Sequence, residues 1–553
     1  MNLISELKAI QDRHGYLSEQ ELQAFSQRAT IPLYQIQAVA SFYPHFRLQP
    51  KSQIDVKVCR DLSCHIAGAQ RLLGSAQKAA ASLPSCAVGG VSCLGRCDQA
   101  PAIAVNDNIY AGITEQRLHE LLRSFQQGAP SKYSFIQQGS TSFAIDPYDR
   151  ATDRFGALRT LLRERDSAAV IQTLKDSGLR GMGGAGFPTG VKWEIVRNAT
   201  GAEKYVVVNA DESEPGTFKD RFLMDKFAHL LLEGILLGAY IVGAQQAFIF
   251  IRHEYPDQEH VLEKALAEAR AQGLIGPRIL GSDFSCNIEL FVSAGGYICG
   301  EETALLEALE GKRAEPRNKP PFPGTHGLWG KPTLINNVET LCMIPGILQR
   351  GAAWFKSRGR KDNGLKYLGL SGHVQRPGVY EVPLGLPVEE FIQNYGGGLT
   401  AEKRLKAFSP GGASSGFLPG SMANIALDFQ SLTQVGSMLG SGAVVALAEG
   451  TCMLDVALNV VTFFRNESCG KCVPCRVGSD KIVHILQRAT QGQAEAKDVD
   501  LIGELAETMQ LTSICGLGQA APLPITSALK YFGAEIMLHL TEKRCPEGVC
   551  FRQ

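Results

Sequence analysis

The sequence predicts a multidomain chain, α/β through its middle and mostly helical at both ends, on three observations. Its 553 residues exceed what a single hydrophobic core usually serves. Short apolar strands such as Tyr205–Val208 and Ala247–Ile251 alternate with helix-period segments, the pattern of a layered α/β unit. The fifteen cysteines fall in clusters rather than spread along the chain as a disulfide framework would.

Lys+Arg and Asp+Glu both number 55, so no net field favours nucleic acid or an anionic membrane. Met1–Lys8 lacks the basic-then-apolar layout of a signal peptide. The apolar region Leu230–Ile251 is broken by Glu233, Gln245 and Gln246, and reads as a buried helix running into a strand. A soluble cytoplasmic protein is expected, with no direct membrane insertion. In that reducing setting clustered cysteines point to metal.

Residues 1–50 form a helical segment. Ile4, Leu7 and Ile10 mark one amphipathic run, and Ser18 with Glu21 makes a capping box for the next. These helices are too small to stand alone and need a neighbour; Pro50 ends them. Residues 51–125 form a small α/β unit, with strands at Ile54–Val58 and Ala102–Val105 and helices at 66–81 and 114–125. It carries Cys59-x4-Cys64 and, 28 residues on, Cys93-x3-Cys97. Two close thiolate pairs suit tetrahedral zinc or a [2Fe-2S] cluster. Cys86 has no partner at that spacing and reads as an incidental thiol. Residues 126–152, rich in Gln, Ser, Gly and Pro, read as a linker.

An α/β domain spans 153–350. Near its start, Gly178 to Gly190 holds six glycines flanked by Arg180 and Lys192, a backbone able to come very close to an anion such as a nucleotide phosphate. Gly181–Gly186 fits G-x-G-x-x-G, but a helix-period segment precedes it and Pro188 follows, which is the wrong context for a dinucleotide fingerprint. A tight turn is the bland alternative. The strand at Tyr205 delivers Asn209, Asp211, Glu212 and Glu214 at its carboxyl end, where open α/β sheets bind ligands, although such acids are as often a solvated turn. After the strand Ile288–Val292, Tyr297-Ile298-Cys299-Gly300-Glu301-Glu302 starts a helix whose acids also complement its dipole. Arg317–Pro323 presents Lys319 and Phe322, and Asn336-Asn337 is a polar pair able to bond a heteroaromatic edge.

Residues 365–435 make a small β-rich unit with one helix, Val388–Tyr395, and read as a spacer without chemistry. Residues 440–553 are helical and hold Cys469-x2-Cys472-x2-Cys475, then 39 residues to Cys515. Three thiolates that close suit one face of a [4Fe-4S] cubane. Cys545 and Cys550 read as an incidental or redox-labile pair; Cys286, Cys299, Cys342 and Cys452, without partners at ligand spacing, read as structural.

With these motifs in hand, residues 153 to about 540 resemble the NADH-binding flavoprotein subunit of respiratory complex I, and residues 1 to about 125 resemble its thioredoxin-like [2Fe-2S] partner subunit. The same pair recurs as the diaphorase part of NAD-dependent formate dehydrogenases and NAD-reducing or bifurcating hydrogenases. The resemblance implies a thioredoxin-like ferredoxin domain, an FMN- and NADH-binding α/β domain, a β-grasp-like domain and a helical [4Fe-4S] domain. It implies FMN at Gly181, Gly183, Lys192, Asn209, Asp211, Glu212, Tyr297, Gly300, Glu301, Asn336 and Asn337, and NADH at Phe187, Glu214, Glu302, Lys319 and Phe322. It implies [4Fe-4S] on Cys469, Cys472, Cys475 and Cys515, and [2Fe-2S] on Cys59, Cys64, Cys93 and Cys97. No side chain acts as catalytic acid or base; Glu214 positions NADH. Electrons pass to or from an iron-sulfur-rich subunit on another chain, first of all a formate dehydrogenase, alternatively a hydrogenase or complex I-like assembly. One departure stands out: where the family loop reads Gly-Arg-Gly-Gly, this chain has Met182. A lost charged hydrogen bond there is expected to weaken phosphate anchoring by about 1–3 kcal/mol, and the rival reading is an electron-transfer scaffold with a decayed flavin site.

Overall fold

The computed structural model describes residues 2–83, 85–128 and 139–551, so part of the expected linker, 129–138, lies outside the described residues. Three N-terminal helices, Leu3–His14, Glu19–Ala29 and Leu33–Ala40, open the chain. Asn2 accepts from the Ile4 and Ser5 amides, and the Ser18 hydroxyl from the Glu21 amide, which is the first half of the expected capping box. The neighbour these helices need is the large α/β domain: Ile4, Leu7 and Phe25 share one core with Ala304, Leu305 and Leu309. The Tyr43 hydroxyl donates to the Lys312 carbonyl at 2.6 Å.

The first sheet holds β1 (Ile54–Cys59), β2 (Cys86–Val91), β3 (Ala102–Val105) and β4 (Asn108–Ala111) in the order β2-β1-β3-β4. β1 and β2 are parallel and the other neighbours antiparallel. Periodicity missed β2 and β4, since Cys86-Ala-Val-Gly-Gly-Val carries two glycines and β4 is only four residues long.

The second sheet is wholly parallel: β5 (Tyr205–Ala210), β6 (Gln246–Arg252), β7 (Asn287–Ser293) and β8 (Thr333–Asn337), ordered β7-β6-β5-β8. The chain steps from β5 outward to β7 and then returns to the other side of β5. The reversal opens a crevice at the carboxyl ends of β5 and β8, where Asn209 pairs in register with Asn337. Behind the sheet, the buried helix Lys219–Val242 crosses the helix Val338–Arg350 so closely that a Cβ on Gly234 would meet the Leu341 carbonyl oxygen at 2.4 Å.

The third sheet holds β9 (Leu365–Gly372), β10 (Gly378–Pro383), β11 (Leu405–Ser409), β12 (Leu418–Pro419) and β13 (Ala443–Ala448), ordered β10-β9-β13-β11-β12. β13 corrects the helical reading from Gly440: Ala443-Val-Val-Ala-Leu-Ala is buried along its whole length and slots beside β9 as a central strand. The stretch read as a linker is not loose after 139. Ser140 bonds the Val379 carbonyl, Ala144 and Ile145 donate to Glu381, and Tyr148 donates to Glu233. The C-terminal region is a set of helices, Met453–Asn466, Val473–Thr490, Asp498–Thr512, Gly516–Ala520 and Leu523–Thr541. Among the described residues no helix is long and apolar enough to cross a membrane.

One buried charge cluster joins these parts. The Glu339 carboxylate, at the start of the helix after β8, meets Lys219 at 2.9 Å and Lys366 of β9 at 3.1 Å, and accepts from the Tyr367 amide. Lys219 also pairs with Asp220 at 2.7 Å, and Lys366 donates to the Met182 carbonyl at 3.0 Å. Burial pulls Lys219 down, yet Asp220, Glu339 and Glu212 together hold its ammonium above the usual range; for Lys366 burial wins, and its value falls to about 8. Glu339→Gln would leave both ammonium groups short of their shared carboxylate, and should lower stability by about 3–5 kcal/mol. A urea midpoint equal to that of the parent would overturn this account.

Candidate functional site

A cleft of about 560 Å³ lies at the β5 and β8 ends, within the range of small-molecule sites. One wall is the glycine loop at Gly183-Gly184-Ala185. The loop is pinned by the Gly181 amide donating to the Phe187 carbonyl and the Met182 amide donating to the Thr340 hydroxyl. A Cβ on Gly183 would stand 2.9 Å from the Asn337 Cβ, so only glycine lets the loop pass this close to β8. Gly186, at φ +66°, leaves room for the Phe429 ring.

From β5 and the turn after it come Asn209, Asp211, Glu212 and Glu214. Asn209 spans the crevice, donating to the Gly300 carbonyl at 2.8 Å. Glu212 accepts from the Asp220 and Arg221 amides and the Tyr255 hydroxyl, capping the helix Lys219–Val242. Glu214 accepts from the amide and hydroxyl of Ser414, at 2.8 and 2.5 Å. Burial pushes all three carboxyls, Asp211, Glu212 and Glu214, up to about 7. Opposite stand Tyr297, Gly300 and Glu301. Glu301 caps its helix through the Thr303 and Ala304 amides while binding Lys319, which also holds Glu302.

Not every expected residue reaches the cleft. The Asn337 amide donates to Asp220 at 2.6 Å on the wall, whereas Asn336 is turned into the core and accepts from the Trp193 indole at 2.9 Å. The Lys192 ammonium donates to the Ile335 carbonyl and lies over the Phe187 ring, outside the lining. Gly181, Glu302 and Lys319 also stand outside the lining, as do Phe187 and Phe322, 45% and 58% exposed. Met182 is buried behind the loop, its thioether 4.0 Å from the Lys366 ammonium, so its side chain does not face the cleft. Periodicity gave no sign of Lys219, a buried cation on the wall, nor of Ser414 and Phe429 from the unit read as a spacer, nor of Gly440 just after it. Lys219 and Phe429 open helices and Ser414 lies in a short turn, places where apolar periodicity carries no signal.

The first cysteine set is fully buried. Cys93 and Cys97 sulfurs are 3.5 Å apart, and Cys59 lies within hydrogen-bond reach of Cys64 and Cys93. The Cys97 sulfur accepts from the Gly216 amide at 3.3 Å, so the turn that carries Glu214 touches this set as well as the cleft. In the second set, Cys472 and Cys515 stand at the N-termini of the helices Val473–Thr490 and Gly516–Ala520, where amide dipoles favour thiolate. Burial pushes the Cys475 thiol up to about 12, with Cys472, Cys515 and Cys469 adding to the shift, as expected for thiolates gathered for a cationic centre. Gly516 and Leu517, directly after Cys515, are cleft wall.

Because the folded-state value of Glu214 lies above its ordinary one near 4.5, the folded chain holds the extra proton, and the associated stability is lost as pH rises from about 4.5 through about 7. Glu214→Gln should flatten the fall in ligand-free stability between pH 5 and pH 7 by on the order of 2 kcal/mol, less than the full shift because the carboxyl keeps some contact with the cleft. Parallel pH profiles of the two proteins would rule this out.

The sequence matches the Nuo51 FMN-binding domain over residues 174–346, the NADH-ubiquinone oxidoreductase-F iron-sulfur binding region over 455–539, the thioredoxin-like [2Fe-2S] ferredoxin over 1–126, and the SLBB domain over 367–418. The third match takes in the N-terminal helices together with the small α/β unit. The F 2 subunit of the NADH-quinone oxidoreductase of Rhizobium meliloti (strain 1021) is 46% identical over 393 residues, 71% of this chain and 93% of that protein. The HndC subunit of the NADP-reducing hydrogenase of Solidesulfovibrio fructosivorans is 44% identical over 384 residues, 69% of this chain and 78% of that protein. The crystal structure of an NAD+-reducing [NiFe]-hydrogenase in the H2-reduced state has a chain that superposes with a TM-score of 0.87 at 30% identity, covering 98% of this chain and 93% of that one. With a cleft at the switch point, two gathered thiol sets and these matches, the chain belongs to the family of NADH-quinone oxidoreductase F subunits, the NADH-binding flavoproteins that carry FMN and a [4Fe-4S] cluster, here with a thioredoxin-like [2Fe-2S] domain in front.

Proposed function

We propose that the chain is an NADH dehydrogenase (diaphorase) module, moving electrons between NADH and a partner subunit in the cytoplasm. The observation that carries this reading is that one cleft has the glycine loop on one side and, on the other, Gly516 and Leu517, directly after Cys515 of the second cysteine set. Flavin chemistry, when FMN is bound, converts the two electrons of a hydride into single electrons that iron-sulfur clusters accept.

Two features of the cleft fit a flavin. Asp211 Oδ2 is buried at the wall with no hydrogen-bond partner among the described residues, and Gly184 of the loop faces open space, where a Cβ would meet nothing within 4 Å. Gly183, Asn209, Asp211, Tyr297, Gly300 and Asn337 would hold the flavin, with Glu212, Glu301 and Lys219 fixing the walls. Gly181, Lys192 and Asn336 brace the loop and strand behind it. Glu214, held by Ser414, would position NADH, and Phe187, Glu302, Lys319 and Phe322 would meet the nucleotide from the exposed side. Cys469, Cys472, Cys475 and Cys515 would hold [4Fe-4S], and Cys59, Cys64, Cys93 and Cys97 [2Fe-2S]. The scaffold reading rested on Met182, whose side chain sits behind the loop next to Lys366, so the structure gives it no support.

The Rhizobium and Solidesulfovibrio relatives are named as subunits of a quinone oxidoreductase and of a hydrogenase, and we take an iron-sulfur-bearing subunit of one of these kinds as the partner. The formate dehydrogenase expected from the sequence has no support in either name.

Anaerobic titration of the purified chain with NADH should bleach both the flavin band and the broad cluster absorbance. Cluster absorbance untouched by NADH, with no flavin released on denaturation, would overturn the proposal. Gly183→Val should reduce flavin content at least tenfold and leave iron unchanged, since the added carbons enter the space between loop and Asn337. Full flavin content in that variant would remove the loop from the site.

A further inference from the structure

Four ligand-type side chains that electron transfer does not use converge at the far end of the C-terminal helices. Cys452 caps the helix Met453–Asn466, His539 lies in the last turn of Leu523–Thr541, and Cys545 and Cys550 bracket a turn in the tail. Their ligand atoms all lie within 4.8 Å of one another. The fold thus joins Cys452, read from the sequence as structural, to Cys545 and Cys550, read as an incidental or redox-labile pair. Ligand spacing missed the set because its members come from three segments, with His539 87 residues beyond Cys452.

We infer that Cys452, His539, Cys545 and Cys550 bind a structural zinc ion. The geometry is that of one small ion. With Zn–S about 2.3 Å and Zn–N about 2.0 Å at tetrahedral angles, two sulfurs lie about 3.8 Å apart and a nitrogen about 3.5 Å from a sulfur. Here Cys452 and Cys550 sulfurs are 3.7 Å apart, and the His539 Nε2 is 3.4 Å from the Cys452 sulfur. Thiolates around a cubane stand farther apart, because its corners separate them.

The surrounding contacts prepare the ligands. His539 Nδ1 lies 2.9 Å from the Glu535 carbonyl, which can only accept, so the ring proton belongs on Nδ1 and the Nε2 lone pair faces the sulfurs. The Val549 amide donates to the Cys545 sulfur at 3.3 Å, and the turn closes through the Gly548 amide and the Cys545 carbonyl, with Gly548 in the left-handed region at φ +63°. Cys452 and His539 are buried, and the Phe551 ring lies 5.8 Å from the imidazole. Four protein ligands leave no open position, which marks a structural rather than a catalytic ion. Lys406 of β11 binds both Glu535 and Glu547, tying the tail turn to the β-rich sheet.

The position explains what the ion would do. The 14-residue helix Met453–Asn466 runs about 21 Å from Cys452 toward Cys469. The helix Leu523–Thr541 runs the other way, from cleft-lining Leu523 to His539. Zinc would fix the outer ends of two helices whose inner ends frame the flavin cleft and the [4Fe-4S] ligands.

Metal analysis of the intact holoprotein should find one zinc per chain besides its iron, and X-ray absorption at the zinc edge should show three sulfurs at about 2.3 Å and one nitrogen at about 2.0 Å. The Cys545→Ser, Cys550→Ser double variant should lose zinc at least tenfold and keep its iron; if it fails to fold, the parent protein's zinc edge decides alone. Zinc well below one per chain, a zinc shell of oxygen and nitrogen only, iron in place of zinc, or a Cys452–Cys550 disulfide in the purified chain would each overturn the assignment.

Discussion

The Glu339 carboxylate is the point on which three parts of the molecule depend. It sits at the head of the helix after β8, meets Lys219 from the helix that Glu212 caps, and meets Lys366 from the first strand of the β-rich sheet. Lys366 in turn holds the Met182 carbonyl, so the glycine loop is anchored from behind by the same group. Buried ions are tolerable only when paired and hydrogen-bonded, and here each of Lys219, Lys366, Asp220 and Glu339 finds a partner of opposite sign. The arrangement fixes the loop relative to β8, and thereby sets the width of the cleft. It also explains why Met182 fits: an arginine at this buried place would be a third cation beside two lysines.

What the sequence made legible followed from chemistry that needs short spacing. The Cys469-x2-Cys472-x2-Cys475 run and the acids after β5 sit in one stretch each, and both could be read without a fold. β8 was not, because Thr333–Asn337 is five residues long and passes straight into a helix. Lys219 was not, because a lysine at a helix start is usually solvated, and only the Asp220 and Glu339 carboxylates make burial possible here. The β-rich unit was read as a spacer since its contribution to the cleft is made between its strands, by Ser414 in a short turn and Phe429 at the start of a short helix, whose placement depends on β13 entering the sheet after them.

The turn after β5 does two tasks within a few residues. Glu214 faces the cleft and binds Ser414, while the Gly216 amide reaches the Cys97 sulfur. Gly216, at φ +97°, has no room for a side chain, since a Cβ would lie 2.9 Å from a Val445 methyl of β13. A backbone donor so tightly packed is a fixed dipole, and hydrogen bonds to cluster sulfurs are among the terms that set cluster potentials. Cleft and buried thiol set therefore share one rigid wall.

The same wall explains how a small domain can bury four thiols against a larger one. Four thiolates taken out of water need positive charge nearby, and the large domain supplies it. Arg252 of β6 donates to the Cys93 carbonyl at 2.6 Å, and Arg221 donates to the Gly95 carbonyl while pairing with Asp98 at 2.8 Å. The thiols Cys59 and Cys97, with Arg252 assisting, hold Cys93 well below the ordinary thiol range. Arg221 and Arg252 are themselves buried, and the loop 93–98 receives hydrogen bonds from both, while Arg252 also pairs with Glu254 of its own domain at 3.0 Å. Each module thus adds to what the other holds: the arginines bring positive charge to the thiols, and the loop 93–98 gives the arginines further acceptors. These shared contacts favour the docked arrangement, with Cys59, Cys64, Cys93 and Cys97 buried and Cys93 and Cys97 turned toward the large α/β domain.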